Sequence, residues 1–135
     1  LLGIQRRFGT TVILVTHDID EAFRLGDRVA VMSQGRLLQH DRPAVLLTRP
    51  ADAFVAQLIG SADKSLKLLS LTTAGEVADP GSVTGPAVPW SVTLREVLAE
   101  LVWSGAAAAT VVGPDGAPIG HVTLASLLAR GRRAT

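Results

Sequence analysis

Val12, Ile13, Leu14 and Val15 form a continuously apolar run that leads straight into Thr16, His17 and Asp18, where a helical pattern begins. A strand that ends on a histidine at the mouth of a helix places an imidazole at the carboxyl edge of a sheet. In open α/β sheets that edge is where ligands bind. A neutral imidazole there donates one hydrogen bond to a phosphate oxygen while the backbone or a carboxylate holds its other nitrogen. Such a bond also reports whether the terminal phosphate is in place. Position alone leaves a second reading open, a partly buried histidine making a local cap contact. His40, beside Asp41, reads as the exposed end of a hairpin with no chemical role.

Phosphate chemistry needs more than one histidine. A Walker A loop, G-x-x-x-x-G-K-[ST], cradles phosphates with its backbone N–H groups. Neither Lys64 nor Lys67 follows a glycine, so that loop is absent from these 135 residues. A Walker B strand puts apolar residues before its Asp and a catalytic Glu after it. The only Asp-Glu pair, Asp20-Glu21, follows Asp18 and Ile19 and does not qualify. By this reading the chain alone neither binds ATP tightly nor hydrolyses it.

Composition removes other classes. The chain has no cysteine, which excludes disulfides, zinc–thiolate sites and cysteine nucleophiles. Its 13 basic and 12 acidic residues leave a net charge of +1, so nothing in its charge argues for nucleic acid. No apolar run approaches the roughly 20 residues of a membrane helix. The opening LLGIQRRFG lacks the pattern of a secretory signal. With 47% apolar residues the chain can build a packed core.

The elements that must position His17 follow from periodicity and punctuation. Residues 1–8 read as the tail of a helix, with Leu1, Leu2 and Ile4 on an apolar face already under way, as in a fragment, and Gly9 as its stop. Thr11–Thr16 reads as a strand buried on both faces. Asp18 and Glu21 have the spacing of a capping box for a helix that runs to Leu25 and stops at Gly26. Strands over 28–33 and 36–40 flank Gln34-Gly35 as a hairpin. Pro43 opens a short helix, and a second over 51–59 puts Phe54, Val55, Leu58 and Ile59 on one face.

Taken together, VILVTHDIDEAFRLGDRVAVMSQGRLLQHDRPAVLLTRPADAFVAQLIG resembles the C-terminal end of the ATP-binding subunit of an ABC transporter. In that family an apolar strand ending in T-H-D carries a switch histidine, and D-x-x-E-A starts the next helix. The strand D-R-V-A-V-M, the hairpin G-R-L-x-Q and a P-x-x-L-L-x-x-P-A helix pair follow in order, with Asp18, Glu21, Ala22, Asp27, Gly35, Gln39 and Pro50 in place. The resemblance implies the end of a P-loop, RecA-like α/β domain over residues 1–62. It implies that His17 contacts the γ-phosphate of ATP, bound with Mg in the full-length protein between two subunits. That is positioning and electrostatics, the main work in phosphoryl transfer.

Residues 63–135 read as a linker and a second small α/β domain. Asp79–Pro89 holds three prolines and two glycines and reads as a loop. Thr93 and Glu96 have the spacing of a capping box ahead of a Leu94, Val97, Leu98, Leu101, Val102 stripe. A strand over 109–112, a Pro114-Asp115-Gly116 turn, a strand over 118–122 and a helix capped by Thr123 complete it. The core of this pattern, residues 90–131, resembles a single CBS motif. In that family a Thr followed three residues later by Asp holds the ribose of an adenine nucleotide. Thr123 matches and Ser126 stands in place of the Asp. Capping is therefore the better account of Thr123.

An ABC ATPase end joined to a CBS tail resembles the ATP-binding subunits of quaternary-amine osmoprotectant importers, those for glycine betaine, carnitine or choline. The resemblance implies a homodimer with a second ATPase subunit, permease membrane subunits as partners, and a place on the cytoplasmic face of the plasma membrane. It implies a regulatory tail answering to an adenine nucleotide or, through Arg130, Arg132 and Arg133, to anionic lipid, with a merely solvated tail as the other reading of these three arginines. Two alternatives stand beside it: a non-catalytic CBS sensor module, and the ATPase end of another importer class.

Overall fold

A computed structural model of the chain describes residues 2–60 and 63–132, without the side chains of Leu2 and Ile4. The apolar face expected for Leu1, Leu2 and Ile4, the join residues Ser61 and Ala62, and Arg133 lie outside that description. Two units divide the chain, Leu1–Ile59 and Gly60–Thr135.

In the first unit, α1 (Leu2–Phe8) ends at Gly9, whose φ is +61°. Residues 10–18 follow without regular structure. Then come α2 (Ile19–Leu25), the hairpin strands β1 (Val29–Ser33) and β2 (Arg36–Asp41), α3 (Pro43–Thr48) and α4 (Ala53–Ile59). The two strands pair antiparallel, with a bulge between Val31 and Met32. Gln34 and Gly35 both have positive φ, +50° and +75°, the backbone that a two-residue hairpin loop needs to match strand twist. Pro43 sits at the first turn of α3, where its missing N–H costs nothing. Leu46, Leu47, Val55 and Ile59 are buried.

Two expectations fail in this unit. The segment Thr11–Thr16 is not a buried strand: Ile13 is 88% and Val15 93% exposed. The physical reason is pairing, since no other strand among the described residues takes up its N–H and C=O groups. On α4 only Val55 and Ile59 face inward, while Phe54 and Leu58 stay about half exposed.

The second unit contains α5 (Lys64–Leu69), α6 (Ala74–Val77), β3 (Ala87–Pro89), α7 (Leu94–Ser104), β4 (Ala108–Val112), β5 (Pro118–Thr123) and α8 (Leu124–Arg130). Its sheet has the order β3-β4-β5, with β3 parallel and β5 antiparallel to β4. The Pro- and Gly-rich stretch read as a loop thus ends in a strand, and the stretch from residue 63 read as a linker contains the helix α5. Leu69, Ala74 and Val88 explain why, because they join Leu94, Val97, Leu101, Ala109, Val111, Val122 and Leu127 in one core. Thr93 and Glu96 form the expected capping box: the Glu96 N–H donates to the Thr93 hydroxyl at 3.2 Å and the Thr93 N–H to the Glu96 carboxylate at 2.7 Å. Gly120 lies against the backbone of residue 79, where an added Cβ would sit 2.5 Å from the Asp79 carbonyl oxygen. That approach lets His121 and Asp79 exchange two backbone hydrogen bonds of 2.8 and 2.9 Å.

Candidate functional site

His17 occupies a bend between the extended segment and α2, and its side chain is exposed. Among the described residues its imidazole makes no hydrogen bond, so the cap contact weighed above is not formed. The bend itself is tied on both sides of His17. Asp18 caps α2 by accepting from the Glu21 N–H at 3.1 Å. The Asp18 N–H donates to the Thr16 hydroxyl oxygen at 3.0 Å. The Thr16 hydroxyl in turn donates to the Glu21 carboxylate at 2.7 Å.

This corrects the expected capping box. In that motif the Glu at N3 reaches back to the N-cap N–H directly. Here Thr16 stands between them, accepting from the N–H and passing a hydrogen bond on to Glu21. Sequence reasoning assigned Thr16 no role, although a hydroxyl two residues before the cap is a recognisable signal, since Ser and Thr side chains commonly bond backbone N–H groups two residues on. The arrangement leaves one exposed imidazole that makes no hydrogen bond among the described residues, beside a bend held by three hydrogen bonds.

Elsewhere in the first unit, hydrogen bonds to Gln39 hold the hairpin to the turn between α3 and α4. Its side-chain amide donates to the Asp41 carboxylate and the Arg49 carbonyl, each at 3.0 Å, and its carbonyl accepts from the Ala51 N–H at 2.7 Å. His40 is exposed, and its backbone carbonyl accepts from Arg28 at 3.2 Å. Among the described residues no three His, Cys, Asp or Glu converge as a metal site.

Thr123, the other residue singled out, caps α8. The Ser126 N–H donates to its hydroxyl at 3.1 Å, and the Ser126 hydroxyl donates to its carbonyl at 2.8 Å. The Thr123 hydroxyl thus accepts from the Ser126 N–H, its own proton has no partner among the described residues, and no acidic group stands at position 126. The structure does not bring His17 and Thr123 together in one unit.

No protein-family model matches the chain. Individual proteins do. The osmoprotectant import ATP-binding protein OsmV of Salmonella typhimurium is 43% identical over 123 residues, which cover 90% of this chain and 31% of that protein. The glycine betaine uptake system ATP-binding protein YehX of Escherichia coli is 38% identical over 126 residues, 93% of this chain and 41% of that one. The Fe(3+) ions import ATP-binding protein FbpC of Streptomyces coelicolor is 36% identical over 132 residues, 83% of this chain and 37% of that one. The chain thus spans 31% to 41% of the length of these relatives. No helix of the described residues is long and apolar enough to cross a membrane. With the T-H-D bend, the D-x-x-E-A helix and the hairpin present in the order the resemblance requires, the chain belongs to the ATP-binding proteins of ABC-type importers.

Proposed function

We propose that this chain is the C-terminal part of an ATP-binding subunit that drives import of quaternary-amine osmoprotectants, followed by a regulatory tail of CBS type over residues 63–135. One observation carries the reading. The matches to the osmoprotectant and glycine betaine proteins take in nine-tenths of the chain and so run through both units. The iron-importer match also runs through both units, with lower identity, 36%, and a smaller share, 83%.

In this reading the full-length subunit binds ATP and Mg with loops outside these residues, and His17 supplies one contact to the γ-phosphate. An exposed ring that makes no hydrogen bond among the described residues suits that task. Its work is to hold the terminal phosphate and the attacking water in line and to stabilise charge that develops on the phosphate oxygens. The exposed run from Val12 to Val15 supports the same view, because such a run has the composition of a strand buried in a larger sheet. The partners are a second ATPase subunit and the permease subunits, with the assembly on the cytoplasmic side of the membrane. Thr123 serves the tail as a helix cap, and Ser126 in place of the ribose-holding Asp argues against an adenine nucleotide as its input at this motif. Exposed Arg130 and Arg132 leave anionic lipid as the alternative input.

The test is transport. The full-length subunit, assembled with its permease and binding protein in proteoliposomes, is expected to take up labelled glycine betaine in an ATP-dependent way. Uptake of ferric iron, with none of any quaternary amine, would overturn the assignment of cargo.

A further inference from the structure

We infer that Thr16 and Glu21 act together as positioning residues for His17, an inference that rests on the phosphate-contact reading of that histidine. His17 lies inside a closed circuit. Its following N–H, from Asp18, donates to the Thr16 hydroxyl at 3.0 Å, and the residue before it, Thr16, donates to Glu21 at 2.7 Å. Glu21 in turn donates its own N–H to the Asp18 carboxylate at 3.1 Å. Three bonds thus join the residues on either side of His17 to the first turn of α2, and the imidazole itself takes part in none of them.

The chemistry explains why this pair suits a positioning task. A hydroxyl accepts and donates at once, so Thr16 fixes the direction of the Asp18 N–H and is itself fixed by Glu21. The bond to Glu21 is charge-assisted and short, and bonds of that kind are the stronger ones. The Thr16–Glu21 bond is part-buried, whereas the other two bonds of the circuit and the His17 ring are exposed, so water competes least for that one bond. A histidine on an otherwise unrestrained exposed bend would sample many orientations. Small displacements of a positioned group cost rate steeply, about 100-fold for 1 Å. The Thr16–Glu21 bond ties the end of the extended segment to a side chain of α2. A break there frees the bend without touching the ring.

The experiment is a double-mutant cycle on ATP turnover by the full-length subunit. Thr16→Val removes both bonds of the hydroxyl and keeps the shape. It is expected to lower kcat about tenfold, in line with the loss of one or two hydrogen bonds, and to move KM for ATP by less than about twofold. Thr16→Ser retains the hydroxyl and should retain near-normal kcat. Combined with His17→Ala, Thr16→Val should cost nothing further, because a residue that acts through His17 has nothing left to position. Glu21→Leu, which leaves Thr16 in place, should give the same loss and the same non-additivity, and it carries the test if the Thr16 variant fails to fold. Normal kcat in both single variants overturns the inference. So does an equal loss with and without His17, which is what a general structural role would give. Near-normal turnover in His17→Ala alone overturns the phosphate-contact reading itself, and the inference with it.

Discussion

The hydroxyl of Ser126 donates to the carbonyl of Thr123 at 2.8 Å, and the N–H of Ser126 donates to the hydroxyl of Thr123 at 3.1 Å. The two residues close the first turn of α8 on themselves. Replacement of Thr123 by Val is expected to lower the stability of the protein by about 1 kcal/mol, the usual cost of a lost cap, while Ser at the same position retains it. Adenosine nucleotides at millimolar concentration are expected to leave the melting temperature of the 135-residue chain unchanged. Thermal denaturation with and without nucleotide checks both points. A nucleotide-dependent rise abolished by Thr123→Val would restore the ribose-contact role.

A second prediction concerns the glycine that brings β5 against residue 79. Gly120→Ala drives a Cβ to 2.5 Å from the Asp79 carbonyl oxygen, backbone that cannot give way like a flexible side chain. Gly116→Ala, in the turn before β5, meets nothing within 4 Å and suffers only from its φ of +81°. Urea denaturation should rank them accordingly, with about 1 kcal/mol lost at Gly116 and at least twice that at Gly120. Equal losses would mean that the contact with Asp79 does not matter.

A third prediction uses the exposed apolar run. Ile13 is 88% exposed in this 135-residue chain, so Ile13→Lys should change its stability by less than about 0.5 kcal/mol. In the proposed full-length subunit, an inner-strand position for this run predicts that the same change buries an unpaired charge and abolishes soluble expression. Equal tolerance in both contexts would refute the burial of this run.

These contrasts show what the sequence makes legible. Local rules were enough for the hairpin about Gln34-Gly35, the Thr93–Glu96 box and the Thr123 cap, because each is settled within a few residues. They were enough for the T-H-D bend as a place, and not for its wiring. Thr16 intervenes between Asp18 and Glu21 by a hydroxyl geometry that spacing does not specify. Contacts between distant residues were not legible: Gln39 reaching Arg49 and Ala51, or Val88 pairing a Pro- and Gly-rich stretch with β4. The reading of residues 11–16 as a buried strand was sound as a pattern. Burial, however, depends on neighbouring strands, and the described residues offer none.

The most direct test of the account is single-turnover hydrolysis by the full-length subunit carrying His17→Ala, measured beside its affinity for ATP. Loss of one contact to the transferring phosphate predicts an intact affinity and a rate lower by about 10²–10³. Hydrolysis at the normal rate would show that the imidazole at the bend does no work on the phosphate, and would contradict the account at its centre.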